Sequence, residues 1–425
     1  VTDQAVDPNG VRLPQGAHPE GRFLGRTREL KELRADIERA GLDTLSGRKA
    51  PRARVLLIAG RPGSGRSALA EELVRQVAAD YPDGVLRARL SEPGGTPVPV
   101  GRAARDLLDA LGEPAPAGAP EDQLGEALRT ALAERRAVLL LDDAADAGQV
   151  DALLPDNPDC LAVAVSSGPL TGIADVRPCT LGGLDTKSGV ELLSRFTGSV
   201  RITVDPRAAE RLAEQCQGQP AALVLAGGWL AARPKAAVAD LAKQLHTDPG
   251  AEPVTTRLLR LVHDALPQTA ARTLRLLALA PAGLVDPHTA AALTGCSVEA
   301  AHATLDDFAA HGLLHSVGSS VPQYRVPGCL HRELLRLADD HERPAELQLA
   351  RARMLERTVR LLQSCRAITE TDSPEARQKV LALPRPLRFP TPAPPPTGCA
   401  CAAPPCWPPP GSRSPTGSWT PWPGG

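Results

Sequence analysis

Between Arg52 and Leu184 the chain alternates short apolar runs with longer amphipathic ones. "RVLLIAG" (54–60) is a leucine-rich run closed by glycine. "SALAEELVRQVAAD" (67–80) follows at once, with apolar residues at helical spacing. "GVLRARL" (84–90) reads as a second strand, "GRAARDLLDALG" (101–112) and "DQLGEALRTALAE" (122–134) as helices. "AVLLLDD" (137–143) and "CLAVAVSS" (160–167) are continuously apolar, the pattern of strands buried on both faces. "AGQVDALLP" (147–155) is a short helix between them, and "VRPCTLGGL" (176–184) supplies a last strand. A helix through "ELKELRADIERAG" (29–41) precedes the series. Strands interleaved with helices predict an α/β domain: a parallel sheet covered on both faces.

Past residue 185 the strand signals stop. "TKSGVELLSRFTG", "PRAAERLAEQCQG", "PAALVLAGGWLAA" and "AVADLAKQLH" predict a small helical bundle over 185–250. Pro253 to Leu266 leads into a third region, 254–340. There "ARTLRLLALA", "DPHTAAALTG" and "SVEAAHATLDDFAAHGLL" read as helices, and "LLHSVGSSVPQYRVPG" as two short strands around a Gly-Ser turn. Three helices and a hairpin make the winged-helix pattern. Helices over 332–340 and 344–362 follow, the latter within a segment 341–383 that could begin a repeat or sensor region. Residues 1–20 are polar and rich in Pro and Gly, a disordered lead-in by pattern. Residues 384–425 are roughly one-third proline, which cannot fill a helix or sheet core. A one-base slip in a GC-rich back-translation turns this tail into an amphipathic, helix-prone string, so a frameshift is the expected origin; a proline-rich recognition tail is the alternative.

Composition narrows the functional classes. Across 425 residues the acidic and basic side chains nearly cancel, at a formal net charge of −1. Such a balance gives no support to general nucleic-acid or anionic-membrane binding. The segment "TLDDFAAHGLLHSVG" in the third region also lacks a basic stripe. The most apolar stretch, Ala221 to Ala232, is far shorter than a membrane span. The 9 cysteines form no C-x-x-C pair, and the start has no apolar leader, so reduced thiols in a cytoplasmic protein are expected. His311 and His315 stand at i,i+4, but with no third ligand beside them a metal site is not expected.

The chemistry lies in "IAGRPGSGRSALA" (58–70). A phosphate cradle follows G-x-x-x-x-G-K-[ST], after a strand and opening a helix. Gly60, Gly65 and Ser67 fit, while Arg66 holds the lysine position. Gly63 adds freedom for close backbone approach and Pro62 stiffens the turn. The loop Gly60–Arg61–Pro62–Gly63–Ser64–Gly65–Arg66–Ser67–Ala68 is therefore the expected nucleotide-binding segment, with the positive end of the next helix aimed at the anion. Asp142 and Asp143 end a buried strand. Asp142 with the Ser67 hydroxyl is expected to hold Mg2+, and Asp143 to orient or activate an attacking water. A glycine-rich connector and a helix-capping aspartate are the plainer readings of each half; the two together, in this order, favour the P-loop.

With those residues in place the chain resembles STAND-class P-loop NTPases with an NB-ARC module, of the type seen in actinobacterial signalling proteins. The resemblance covers about residues 21–340, with 21–184 as the nucleotide domain. "FLGRTREL" is similar to the family's entry motif and implies Phe23, Leu24, Gly25 and Arg26 near the adenine side. "GQPAALVLAGGWL" is similar to the segment whose proline, here Pro220, packs on adenine. The family implies an ADP/ATP switch with Mg2+, closed by the winged helix, with protein partners and homo-oligomerisation on activation. Three departures stand out. Arg66 keeps the charge of lysine but is a bulkier planar fork. Gly168 occupies the place of a sensor arginine, and His331 in "GCLHRELLRLADD" is one place off the family's histidine. Charged transition-state contacts are each worth ~10²–10³ in rate, so weak or absent hydrolysis is expected. The alternatives are a pseudo-NTPase scaffold and a transcription regulator without its DNA-binding domain, since about 20 residues before "FLGR" are too few for one.

Overall fold

The computed structural model describes residues 23–43, 53–173, 176–247, 252–317 and 322–369. The expectations for 1–20, for the tail 384–425 and for the part of 341–383 beyond Thr369 lie outside the described residues.

Five strands, β1 (Arg54–Gly60), β2 (Val85–Arg89), β3 (Val138–Ala144), β4 (Leu161–Ser166) and β5 (Arg177–Leu181), form one sheet in the order β2-β3-β4-β1-β5. Every pairing is parallel. Because side chains alternate along a strand, each apolar run feeds two cores. Leu56, Ile58, Leu140 and Val163 face one side, where α1 (Thr27–Asp43) and α2 (Arg66–Val77) cover them through Leu33, Leu69 and Leu73. Leu57, Leu139, Leu141 and Ala162 face the other, under Leu107, Leu108, Leu124 and Leu128 of α3 (Val100–Leu111) and α4 (Glu121–Leu132). A short α5 (Ala147–Asp151) follows β3, with Asp146 capping it by accepting from the Gln149 amide. The parallel five-stranded sheet with helices on both faces is the α/β architecture expected from the pattern.

Helices α6 (Thr186–Thr197), α7 (Ser199–Val204), α8 (Pro206–Gln215), α9 (Pro220–Ala231) and α10 (Val238–Thr247) follow. Next come α11 (Val254–Asp264), α12 (Gln268–Leu276), β6 (Leu284–Val285), α13 (Pro287–Thr294), α14 (Val298–Ala310), β7 (His315–Val317) and β8 (Gln323–Arg325). β6, β8 and β7 make a three-stranded antiparallel sheet. Helices α15 (Gly328–His341) and α16 (Pro344–Thr369) complete the described chain.

Several elements differ from expectation. Val254, Leu258, Leu259 and Val262 stand at helical spacing and are buried, so the segment read as a lead-in is helix α11. α7 and the two-residue β6 are too short to show in a periodicity. α16 runs on to Thr369, past the expected end at Leu362. The helical and third regions also share one hydrophobic cluster, from Leu193 on α6 to Met354 on α16.

Candidate nucleotide site

The loop between β1 and α2 is shaped by its glycines. A Cβ on Gly60 would stand 2.8 Å from Ser64 Oγ. Gly63 and Gly65 adopt φ of 81° and 87°, a left-handed region that costs other residues strain. Gly65 caps α2 without any side-chain hydrogen bond to the helix end. The first amides of this 12-residue helix therefore have no side-chain acceptor, the arrangement that favours an anion.

Two segments hold the loop from outside. Arg26 is buried, and its Nη2 donates to the carbonyl oxygens of Ser64 at 3.2 Å and Gly182 at 2.5 Å, while Nη1 pairs with Glu29. Arg26 itself sits at φ 59°, following Gly25 at 68°. Phe23 packs against the α1–α2 side of the sheet and Leu24 is half-buried. From the helical region, Gln219 Nε2 donates to the Pro62 carbonyl at 2.6 Å, and the Ala221 amide donates to Gly63 at 3.1 Å. Pro220 lies beside Gly65, with its Cγ 3.6 Å from where a Cβ would stand. Arg61, Pro62 and Ala68 are exposed.

At the C-terminal ends of the strands the Ser67 hydroxyl donates to Asp142 Oδ1 at 2.8 Å. Burial and the neighbouring Asp143 push the Asp142 carboxyl up from its ordinary value, against the Ser67 hydrogen bond and the charges of Arg89 and Arg66. Asp143, in a left-handed conformation at φ 53°, bridges two cations: Arg66 Nη2 at 3.2 Å and Arg89 Nη2 at 3.3 Å. Its carbonyl accepts from Ser91 Oγ at 2.7 Å. The expected P-loop, aspartate pair, entry motif and Pro220 are thus brought together in one place.

The third region reaches the same place. Cβ of Cys329, at the start of α15, stands 3.7 Å from where a Cβ on Gly63 would be. A Cβ on Gly328 would stand 3.5 Å from Arg89 Nη2. His331 is buried, and burial and Arg89 hold its imidazole below the usual value. Burial and Arg89 likewise lower the Arg325 guanidinium at the end of β8, which Asp142 partly offsets. Gly168, by contrast, has open space around it. Arg89 and Arg325 escaped the sequence reading. The available signal was Arg89's place as the last residue of a strand aligned with Asp142, at the strand ends where α/β sheets bind ligands.

The residues present fit a nucleotide phosphate. Ser64 Oγ, Arg66 Nη1, Arg89 Nε and His331 Nδ1 are buried without a hydrogen-bond partner. Buried donors of this kind are costly unless something accepts from them. A phosphate is an acceptor on every face, and a cluster of cationic donors beside a glycine cradle suits it. The paired oxygens of Ser67 and Asp142 suit a hard divalent cation. His311, of the histidine pair, has its Nδ1 2.7 Å from the Asp307 carbonyl.

Comparison with known proteins agrees with this geometry. Residues 50–161 match the AAA domain family. The chain is 27% identical over 351 residues to the regulatory protein AfsR of Streptomyces griseus and 26% identical over 347 residues to that of Streptomyces coelicolor. In both cases 79% of this chain aligns with 34% of the relative, so the chain spans about a third of the length of the curated relatives it matches. In fold it is similar to a STAND protein with a tetratricopeptide repeat sensor from Pyrococcus horikoshii, with a TM-score of 0.51 and 15% identity over 84% of this chain and 47% of that one. Among the described residues no helix is long and apolar enough to cross a membrane. The match of residues 50–161 is thus to an AAA-type P-loop NTPase domain, and the fold of the chain resembles that of the STAND protein.

Proposed function

We propose that this chain is an ADP/ATP-binding switch of the STAND type, with weak or absent hydrolysis. The observation that carries the reading is the meeting of three regions on one loop. The sheet domain contributes Gly60–Ser67, the helical region Gln219 and Pro220, and the third region Cys329, with Gly328 beside Arg89 next to the loop. A diphosphate gripped by residues 60–67 would touch all three, so its affinity would differ between closed and open arrangements. Such a difference is what lets a ligand shift a conformational equilibrium. In this reading α6–α10 complete an NB-ARC module, α12–α14 with β6–β8 form a winged-helix lid, and Phe23, Leu24 and Pro220 flank the adenine. Ser67 and Asp142 would hold Mg2+, which supplies charge neutralisation between terminal phosphates. Asp143, assigned to the attacking water, is engaged by Arg66 and Arg89, which favours slow turnover. The AfsR relatives are named regulatory proteins, which supports a regulatory role; protein partners, assembly on activation and a cytoplasmic location belong to the same proposal.

The test is titration with ADP and ATP, with and without Mg2+, beside Arg66→Ala. Micromolar or tighter binding, weakened ~10-fold or more by the substitution, is expected. No binding of either nucleotide removes the reading. The second reading, a scaffold with permanent ADP, is favoured by the tied Arg66–Asp143 pair and by Gly168. Denaturing the purified protein and identifying what is released separates them: bound ADP that does not exchange supports the scaffold.

A further inference from the structure

We propose that Arg89 is the residue that tells a nucleoside triphosphate from a diphosphate in this chain, by exchanging the Asp143 carboxylate for the terminal phosphate. The proposal rests on the nucleotide-binding reading above. Gly168 has no side chain with which to read a terminal phosphate, and the space around it is open. On the opposite side of Asp142, β2 ends at Arg89, directly in register with that aspartate. Arg89 Nη2 is 3.3 Å from Asp143 Oδ2, and Arg66 Nη2 is 3.2 Å from Oδ1 of the same carboxylate. Asp143 thus neutralises a pair of guanidinium groups whose Arg89 Nε and Arg66 Nη1 are buried and unpartnered. Each guanidinium has donors beyond those the carboxylate uses, in a planar fork suited to phosphate.

A terminal phosphate offers more acceptor oxygens and more charge than one carboxylate. Bound at Arg66 and Ser67, it competes with Asp143 for Arg89. A diphosphate ends one phosphoryl group short and leaves the Asp143–Arg89 pair intact. The exchange also reaches the third region, because Arg89 lies against Gly328 at the start of α15. No bond is made or broken; one ion pair replaces another.

The experiment measures ADP and ATP affinity of the full chain with Mg2+ for wild type, Arg89→Gln, Arg89→Lys and Asp143→Asn. Arg89→Gln is expected to weaken ATP by ~10-fold or more, the worth of a charge-assisted contact, with ADP changed less than about twofold. Arg89→Lys is expected to recover part of the loss. Asp143→Asn, which removes the competing charge without touching Arg89, is expected to shift the ATP:ADP preference towards ATP. Equal effects of Arg89→Gln on both nucleotides, or none on either, overturn the proposal. If that variant fails to fold by circular dichroism, an unchanged preference in Asp143→Asn overturns it instead. Wild type that binds ADP and ATP with variants of unaltered preference sinks only Arg89's role; wild type that binds neither sinks the nucleotide reading with it.

Discussion

Asp143 shows how a carboxylate can be positioned for one task and held for another. Its place after a buried apolar run was readable. Its backbone at φ 53° and its two arginine partners were not, because Arg66 and Arg89 are 77 and 54 residues away along the chain. Register between strands β2 and β3 brings Arg89 there, and register is a tertiary property. A different carboxylate gives a cleaner titration. Asp106, on α3, is pushed up to about 6, first by burial and then by Asp109, with Arg102 opposing. A raised carboxyl pKa means the folded state favours the neutral form. Its contribution is fully present below the unfolded value of about 3.9 and is lost as pH rises through about 6. Asp106→Asn should therefore stabilise the protein at pH 8, on the order of 1 kcal/mol after discounting for its partly solvated position, and leave it unchanged below pH ~4. Urea unfolding at the two pH values checks this; an equal shift at both would assign the effect to packing.

Helix α9 is apolar on all sides, which by pattern reads as a buried helix. The sequence could not say what packs against it. Gly227 turns out to face Phe196 of α6, and Gly228 faces the backbone carbonyl of His311 just after α14. A Cβ on Gly228 would collide with that oxygen. Alanine gains ~1 kcal/mol of helix propensity there, but overpacking against a backbone group costs ~1–3 kcal/mol. Gly228→Ala is expected to destabilise by about 1–2 kcal/mol net, read as a lower denaturant midpoint; a higher midpoint would mean the helices part at little cost. Strands β1, β3 and β4 were legible as apolar runs closed by a turn, while β2 (VLRAR) and the mostly exposed β5 (RPCTL) were legible from their place ahead of helices. The third region's α11 was legible in principle from the helical spacing of Val254, Leu258, Leu259 and Val262, although that segment was read only as a lead-in. β6 was illegible: two residues carry no period, and only pairing with Tyr324 and Arg325 makes them a strand.

The continuous core from Leu193 to Met354 makes the helical region and the third region one body energetically, though their patterns divide near residue 250. Leu330 on α15 and Leu225 on α9 belong to that same core. Leu330→Ala should cost ~2–5 kcal/mol and should speed amide exchange in α9 as well as in α15. Exchange accelerated in α15 alone would show that the regions open separately. Beyond this core, α16 is fastened back to α13: Arg353 donates to the carbonyls of Ala292 and Leu293, and Arg357 pairs with Asp286 and Thr289. A helix of 26 residues is about 39 Å long. Riveted near its middle by two guanidinium groups, the helix is a splint: strain along it is shared with Asp286 and with the carbonyls of Ala292 and Leu293, at the two ends of α13.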